Sequence, residues 1–243
     1  MGHRLDAHQV SHYITNQSVI SQLVCVNTEA SAPHKRERRK QDRPGELLEA
    51  ALDLFVEKGF AATRVEEVAA RAGVSKGTLF LYFPSKVELF QAVVRETIVG
   101  RLSEWAQTIE RHEGPQAPLL RELMHQWWQR IGMTEASGIT KLVLSEAGQF
   151  PDIAQFYQTE VIEPGQALMR QILRRGVASG EFRALDLEHT IHGLFAPMLF
   201  LVMWKHSLGL CAPAQTKLDP EAFIDSQLQL LLHGLLTPPK HVP

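Results

Sequence analysis

Cysteine is almost missing from this chain of 243 residues: Cys25 and Cys211 stand far apart, at no metal-ligand or redox spacing. That argues against a disulfide-framed secreted fold and makes the cytoplasm the expected compartment. Long apolar runs are missing too. The longest near-apolar stretch, Leu194–Trp204, falls short of the roughly 18 residues of a membrane span and contains Pro197, so no membrane partner is expected. No Val/Ile/Thr-rich alternating run argues for strands. A G-x-S-x-G elbow, a Walker loop and a dinucleotide fingerprint are all absent, and the carboxylates show no pairing. Catalytic residues, cofactors and enzymatic activity are therefore not expected. His189 and His192, at i, i+3 beside Glu188, have a spacing that could serve a metal. Most such pairs are surface or interface residues, and no metal site is expected. The net charge of −2 excludes a protein that is basic throughout.

The charge is unevenly placed, however. Residues 34–43, HKRERRKQDR, hold six Lys/Arg against Glu37 and Asp42. A basic arm beside a near-neutral body is the distribution of a small DNA reader. Upstream, residues 1–34 show no sustained period and are expected to be a flexible extension. Ala30-Ser31-Ala32 imitates a signal-peptidase site, but Ser21 and Gln22 interrupt the apolar segment before it, and Arg4, beside Asp6, is the only Lys or Arg ahead of that segment. A helix is expected from Pro44, a good first helical residue, to Lys58, with Gly59 ending it.

The stretch TRVEEVAARAGVSKGTLFLYFPSK, residues 63–86, reads as two short helices about a tight turn, followed at once by a third. Thr63 and Glu66 have capping-box spacing, and Val65, Val68, Ala69 and Ala72 form one apolar stripe. Gly73 can stop that helix in a left-handed residue, and Ser75 can cap the next. Leu79 and Phe83 face inward, leaving Lys76, Gly77, Thr78, Phe80, Leu81 and Tyr82 outward or sideways. Ser85 and Glu88 form a second capping box. This is the pattern of a helix-turn-helix, whose second helix probes the major groove of DNA. Lys76 can donate to guanine, Thr78 to several base edges, and Gly77 permits close backbone approach. Tyr82 and Lys86 can reach phosphates. An ordinary helical hairpin with a solvated face remains the alternative on this window alone.

The motif GVSKGTLFLYFPSK resembles the signature of the tetracycline-repressor (TetR) family of bacterial transcription regulators. The resemblance is specific from about Gly45 to Glu96 and weak elsewhere, although residues 141–161 also look like a recurring C-terminal type within the family. It implies that Ser75, Lys76, Gly77 and Thr78 match the base-reading turn, and that Thr63, Tyr82 and Lys86 match phosphate contacts. Phe80 and Leu81 depart from relatives that carry Tyr and a polar or aromatic residue, which puts hydrogen-bonded readout at those two positions in doubt.

After residue 85 every periodic segment is helical. A fourth helix is expected from Ser85 past Arg101 toward Gln107, ended by Gly114-Pro115. Further helices are expected at 119–131, 139–147, 151–175, 187–208 and 220–235, with Pro164-Gly165 kinking or dividing the third of these. Trp105, Met124, Trp128, Phe156, Tyr157 and Met169 fall on the central helices; the resemblance implies a ligand cavity there, lined by some of them. Ile224, Gln227, Leu228, Leu231 and Leu235 make an a/d-like seam, with Leu194, Met198, Leu201 and Val202 on the preceding helix. Two apolar helices at the chain end fit an isologous four-helix dimer, the arrangement the resemblance also implies.

The resulting expectation is an all-α chain. Residues 1–34 form an extension, 35–91 a three-helix DNA-binding domain with the basic arm, and 92–243 a larger helical ligand-binding and dimerisation domain. As a homodimer it is expected to bind double-stranded DNA at a palindromic operator, most simply as a repressor released by a small apolar or amphipathic ligand. A helical ligand-binding or protein-interaction module without a DNA target, and an enzyme using the His-rich helices, are the other readings. Lys76, Thr78, Tyr82 and Lys86 favour the DNA reader over both.

Overall fold

The computed structural model describes the backbone of residues 35–213 and 218–235, with side chains from Arg43 onward within them. The expectations for the extension at 1–34 and for the side chains of the basic arm before Arg43 fall outside those residues. The chain divides into two units, Met1–Gln41 and Asp42–Pro243, and the second holds the side-chain architecture described below.

The described residues form nine α-helices, a 3-10 turn at Leu208–Cys211 and no run of strand. The first, α1, spans Lys35–Ala62. Pro44 lies inside it rather than at its start, because the Lys, Arg, Glu and Gln residues upstream are themselves strong helix formers. Gly59 does break the helical geometry, with φ 83° and ψ 169°. Two short helices follow, α2 (Val65–Arg71) and α3 (Lys76–Tyr82), with Gly73 left-handed between them at φ 67°. Leu47, Leu54, Phe55, Phe60, Val68, Leu79, Leu89 and Phe90 are all buried, so α1–α3 share their small core with the start of the next helix.

That helix, α4, runs unbroken over residues 86–111: α over Lys86–Val94, π over Arg95–Val99, and α again over Gly100–Arg111. Ser85 caps its start by accepting from the Glu88 N–H at 3.1 Å. Beyond Gly114-Pro115, α5 is Gln116–Trp127 with a π turn at Trp128–Gly132, and α6 is Ala136–Glu146. The segment interrupted in sequence by Pro164-Gly165 is one continuous helix, α7: Pro151–Tyr157, a π turn at Gln158–Ile162, then Glu163–Ala178. Proline cannot donate to the ladder, and the widened π turn lies immediately before it. Leu187–His206 forms α8 and Pro220–Leu235 forms α9.

Helix α7 packs against α4, α5, α6 and α8, which makes it the central element of the larger bundle. Distant residues cap the helix ends. The Glu181 carboxylate accepts the N–H groups of Gln116 (2.6 Å) and Ala117 (2.8 Å), and Arg175 donates to the Ile109 carbonyl at 2.5 Å. The C-terminal seam is largely taken up within one chain. Ile224, Leu228 and Leu235, with Leu194, Met198, Leu201 and Val202, are buried where α8 and α9 pack on each other and on α5 and α6, whereas Gln227 and Leu231 of the same seam stay half-buried. What α8 leaves open is its other side, with Leu199 and Phe200 37% and 39% exposed. Phe200 lies against Phe223 of α9 with ring centroids 5.4 Å apart. By length and composition alone α8 is also the one described helix able to cross a membrane.

Candidate nucleic-acid interface

Helix α3 starts where Ser75 accepts from the Thr78 N–H at 3.1 Å, and the two hydroxyls lie 2.9 Å apart. Buried Leu79 anchors its inner side. Lys76 and Gly77 are exposed, and Thr78 and Tyr82 are half-buried. Lys76 is held sideways: its ammonium sits 2.6 Å from Glu66 and over the Phe80 ring at 5.7 Å from the centroid. The Lys76 contact holds the Glu66 carboxyl below the usual carboxylate range. An exposed pair of this kind is worth little in water, so reorienting Lys76 toward DNA is inexpensive. The Tyr82 hydroxyl has no hydrogen-bond partner among the described residues and points to no competing role.

Two of the residues matched to phosphate contacts, Thr63 and Lys86, make contacts inside the protein. The capping-box spacing predicts Thr63 as the N-cap of α2, but Arg64 occupies that position, and the Glu67 carboxylate accepts the Arg64 N–H at 3.4 Å. Thr63 is only 1% exposed. Its hydroxyl is placed to donate to the carbonyls of Gly59 (2.6 Å) and Leu54 (3.0 Å), so it closes the end of α1 instead of facing solvent. Lys86 is likewise turned inward. Its ammonium donates to the carbonyls of Phe60 (2.8 Å), Thr63 (3.1 Å) and Ala61 (3.3 Å), and lies over the Phe60 ring at 4.5 Å. Burial pushes this lysine below its usual range, opposed by the charge of Glu146.

Glu146, at the end of α6, went unnoticed in the sequence. Its carboxylate accepts the N–H groups of Phe60 (3.1 Å) and Ala61 (3.0 Å). The bend at 59–63 is therefore gripped from both sides, its carbonyls by Lys86 and its amides by Glu146. Gly59 makes room for this: a Cβ there would lie 2.3 Å from a Glu146 oxygen. Phe60 adds an aromatic junction, edge-on to Phe90 of α4 at 5.5 Å and to Phe150 at 4.9 Å. Further along α6, a Cβ on Gly138 would meet Val56 of α1 at 2.6 Å. Helix α4 thus shares the work of joining the small unit to the bundle with α6. Only the α4 connection was legible beforehand, because it is covalent. The α6 connection spans more than eighty residues of chain, and one glutamate among many carries no local signal.

The six residues expected to line a cavity, Trp105, Met124, Trp128, Phe156, Tyr157 and Met169, are all buried in the shared apolar core. Trp105 donates from its indole to Gln126 at 3.0 Å. Trp128 folds over Gly132, where a Cβ would meet the ring at 2.1 Å. The Tyr157 hydroxyl pairs with Thr140 of α6 at 2.8 Å, and burial pushes its pKa up to about 12. Phe156 lies under the Arg95 guanidinium at 4.9 Å, and Arg95 makes a forked pair with Glu160 at 3.0 and 3.2 Å. Two surface hollows, one lined by Glu104, Gln107, Thr108, Arg111 and His112 and one between α5 and α9, include none of the six.

The histidine pair does not converge. His189 turns to Asp186 at 2.8 Å, and His192 to the Glu188 carbonyl at 2.7 Å. Among the described residues no group of three or more His, Cys, Asp or Glu could hold a metal ion.

Comparison with known proteins agrees with this geometry. Residues 47–93 match the model of bacterial regulatory proteins of the tetR family, and residues 119–208 match a tetracyclin repressor-like C-terminal domain. The HTH-type transcriptional repressor KstR2 of Mycolicibacterium smegmatis is 30% identical over 148 residues, covering 60% of this chain and 71% of that protein. The HTH-type transcriptional regulator RutR of Escherichia coli K12 is 28% identical over 178 residues, covering 67% and 74%. Among solved structures, the regulator FadR of Bacillus subtilis in complex with stearoyl-CoA superposes with a TM-score of 0.65 at 22% identity, covering 78% of this chain and 98% of that one.

Proposed function

The chain belongs to the tetR family of bacterial regulatory proteins, a DNA-binding transcription regulator and not an enzyme, and on that premise we propose that it is a ligand-released repressor. It binds a palindromic operator as a homodimer, with each α3 in one major groove. Lys76, Gly77 and Thr78 meet base edges, the Ser75 cap fixes the turn, and Tyr82 reaches a phosphate. Lys86 and Thr63 act indirectly, by holding α2 and α3 at a fixed angle to α1. The domain boundary near 91/92 passes through α4, so α4 belongs to both parts.

The observation that carries the release mechanism is the double grip on residues 59–63. Lys86 belongs to α4 and Glu146 to α6, so a ligand that shifts either helix moves the reader. The ligand is taken to be an amphipathic molecule with a long apolar part, entering among Trp105, Met124, Trp128, Phe156, Tyr157 and Met169. Because all six are buried, binding must displace packed side chains, and that displacement is what moves α4 and α6. An acyl-CoA is the first class to test, given the stearoyl-CoA bound to the B. subtilis regulator. The dimer forms through the open side of α8 with α9, around Leu199 and Phe200.

Calorimetric titration with palmitoyl- and stearoyl-CoA, with and without an operator duplex, tests the mechanism. Coupling is reciprocal, so operator must weaken ligand binding by the factor by which ligand weakens operator binding. Tight ligand binding that leaves operator affinity unchanged would refute release by that ligand.

A further inference from the structure

The recognition helix presents an apolar ridge, and this ridge carries an inference that rests on the DNA-reading function proposed above. With about 100° of turn per residue, Gly77 and Leu81 lie side by side opposite Leu79, the buried anchor of α3. Leu81 is 85% exposed and Phe80, next to it, 38%. A Cβ on Gly77 would meet nothing closer than the Ser75 hydroxyl at 3.8 Å, so the fold itself does not require glycine there. The polar residues of the same helix are displaced from the ridge. Lys76 is drawn aside to Glu66, and Thr78 is turned to Ser75. What α3 holds foremost is a stretch of bare backbone and a leucine.

We infer that Leu81, flanked by Phe80, is a specificity residue that reads the C5-methyl group of thymine in the major groove. That methyl is the one apolar feature on a base edge there, and contact with it distinguishes thymine without any hydrogen bond. Gly77 lets the helix approach closely enough for a short leucine side chain to reach it. Water leaves both apolar surfaces, which gives the contact its free energy. 5-Methylcytosine offers the same group at the same place and is the second possible source of it.

The test uses the full chain and the tightest duplex it selects from a random-sequence pool. Each thymine in the protected half-sites is replaced in turn by deoxyuridine, which deletes the methyl and leaves the pairing edge intact. At one or two positions per half-site the wild type is expected to lose about fourfold in affinity per methyl, the equivalent of one buried carbon. Leu81→Ala should bind more weakly and be indifferent to deoxyuridine at those positions, with an unchanged melting temperature because the residue is exposed. Cytosine and 5-methylcytosine placed at the same position separate the two sources: the methylated base should regain affinity with the wild type and not with Leu81→Ala. A consensus without protected thymines, neutral deoxyuridine replacements, or discrimination that survives Leu81→Ala would each overturn the inference. Equal affinity of the wild type for selected and scrambled duplexes is a different failure, which removes the DNA-reading function and this inference with it.

Discussion

Glu146 accepts the N–H of Phe60 at 3.1 Å across 86 residues of chain, and the next amide, Ala61, at 3.0 Å. Two backbone donors at the end of α1 thus depend on one carboxylate from the larger helical bundle. Glu146→Ala leaves both amides without their acceptor and should cost about 1–3 kcal/mol of stability. Glu146→Gln keeps one acceptor and should cost less. If α6 transmits the ligand signal, Glu146→Gln should also reduce the ligand–operator coupling factor more than it reduces either affinity alone. Chemical denaturation and paired titrations measure the two effects separately.

The two glycines of the reader should respond in opposite ways to alanine. Gly59 sits at φ 83° with a carboxylate oxygen 2.3 Å from the place of its missing Cβ. Gly59→Ala should cost at least ~1–2 kcal/mol from the left-handed backbone alone, and more as Glu146 is displaced. Gly77→Ala meets open space in a helix and should stabilise by up to about 1 kcal/mol while weakening operator binding. Urea midpoints with operator titrations decide both.

Lys86→Ala should behave as a structural variant, not as a lost phosphate contact. Removing the ammonium from the carbonyls of Phe60, Ala61 and Thr63 loosens the bend that orients α2 and α3. The melting temperature should fall. The slope of log affinity against log salt should stay near the wild-type value, since no counterion-releasing contact is removed. A slope smaller by about two per dimer would instead put Lys86 on phosphates.

His206 makes stability sensitive to mild acid. Its ring lies 2.8 Å from the buried Ser137 hydroxyl. Burial first, then Lys205 and Lys141, depresses its pKa, with Glu135 opposing. Above pH about 6.5 both folded and unfolded chains carry it neutral. Below that the unfolded chain takes up the proton first, so stability falls as the pH drops through about 6.5 toward the lower folded value. Melting curves between pH 7.5 and 5.5 should show a smaller drop for His206→Asn than for the wild type.

For the dimer, the revised face separates two kinds of substitution. Leu228→Glu places a charge in the packed core of one chain and should give unfolded or aggregated protein. Phe200→Glu with Leu199→Glu alters the open side of α8 and should give folded monomers by light scattering and circular dichroism. A folded double variant that stays dimeric would move the interface elsewhere.

What the sequence made legible was local. The caps at Ser75 and Ser85 and the left-handed Gly73 are set by residues within a few positions of each other, and each falls where its spacing predicts. Thr63 misled because a threonine before an acidic helix start looks the same whether its hydroxyl turns to its own helix or back to Leu54. A lysine at a helix start likewise signals only charge, and the three carbonyls that Lys86 meets come together through the fold. Leu228 has the spacing of a seam, but spacing cannot say whether the covering helix comes from the same chain or another.

The π turns at Arg95–Val99 and Gln158–Ile162 face each other across α4 and α7, joined by Arg95 and Glu160. Each such turn is one residue added to an otherwise ordinary helix. At about 100° per residue, a continuous α-helix of this length would turn Trp105 and Ile109 by about 100° away from the face of Leu89 and Phe90, yet all four are buried together. The wide turn absorbs the odd residue. Deleting one residue from 95–99 should therefore give a regular helix with both flanks still on the core, whereas inserting one should turn Trp105 and Ile109 away from it, so the length of this stretch can change in one direction only.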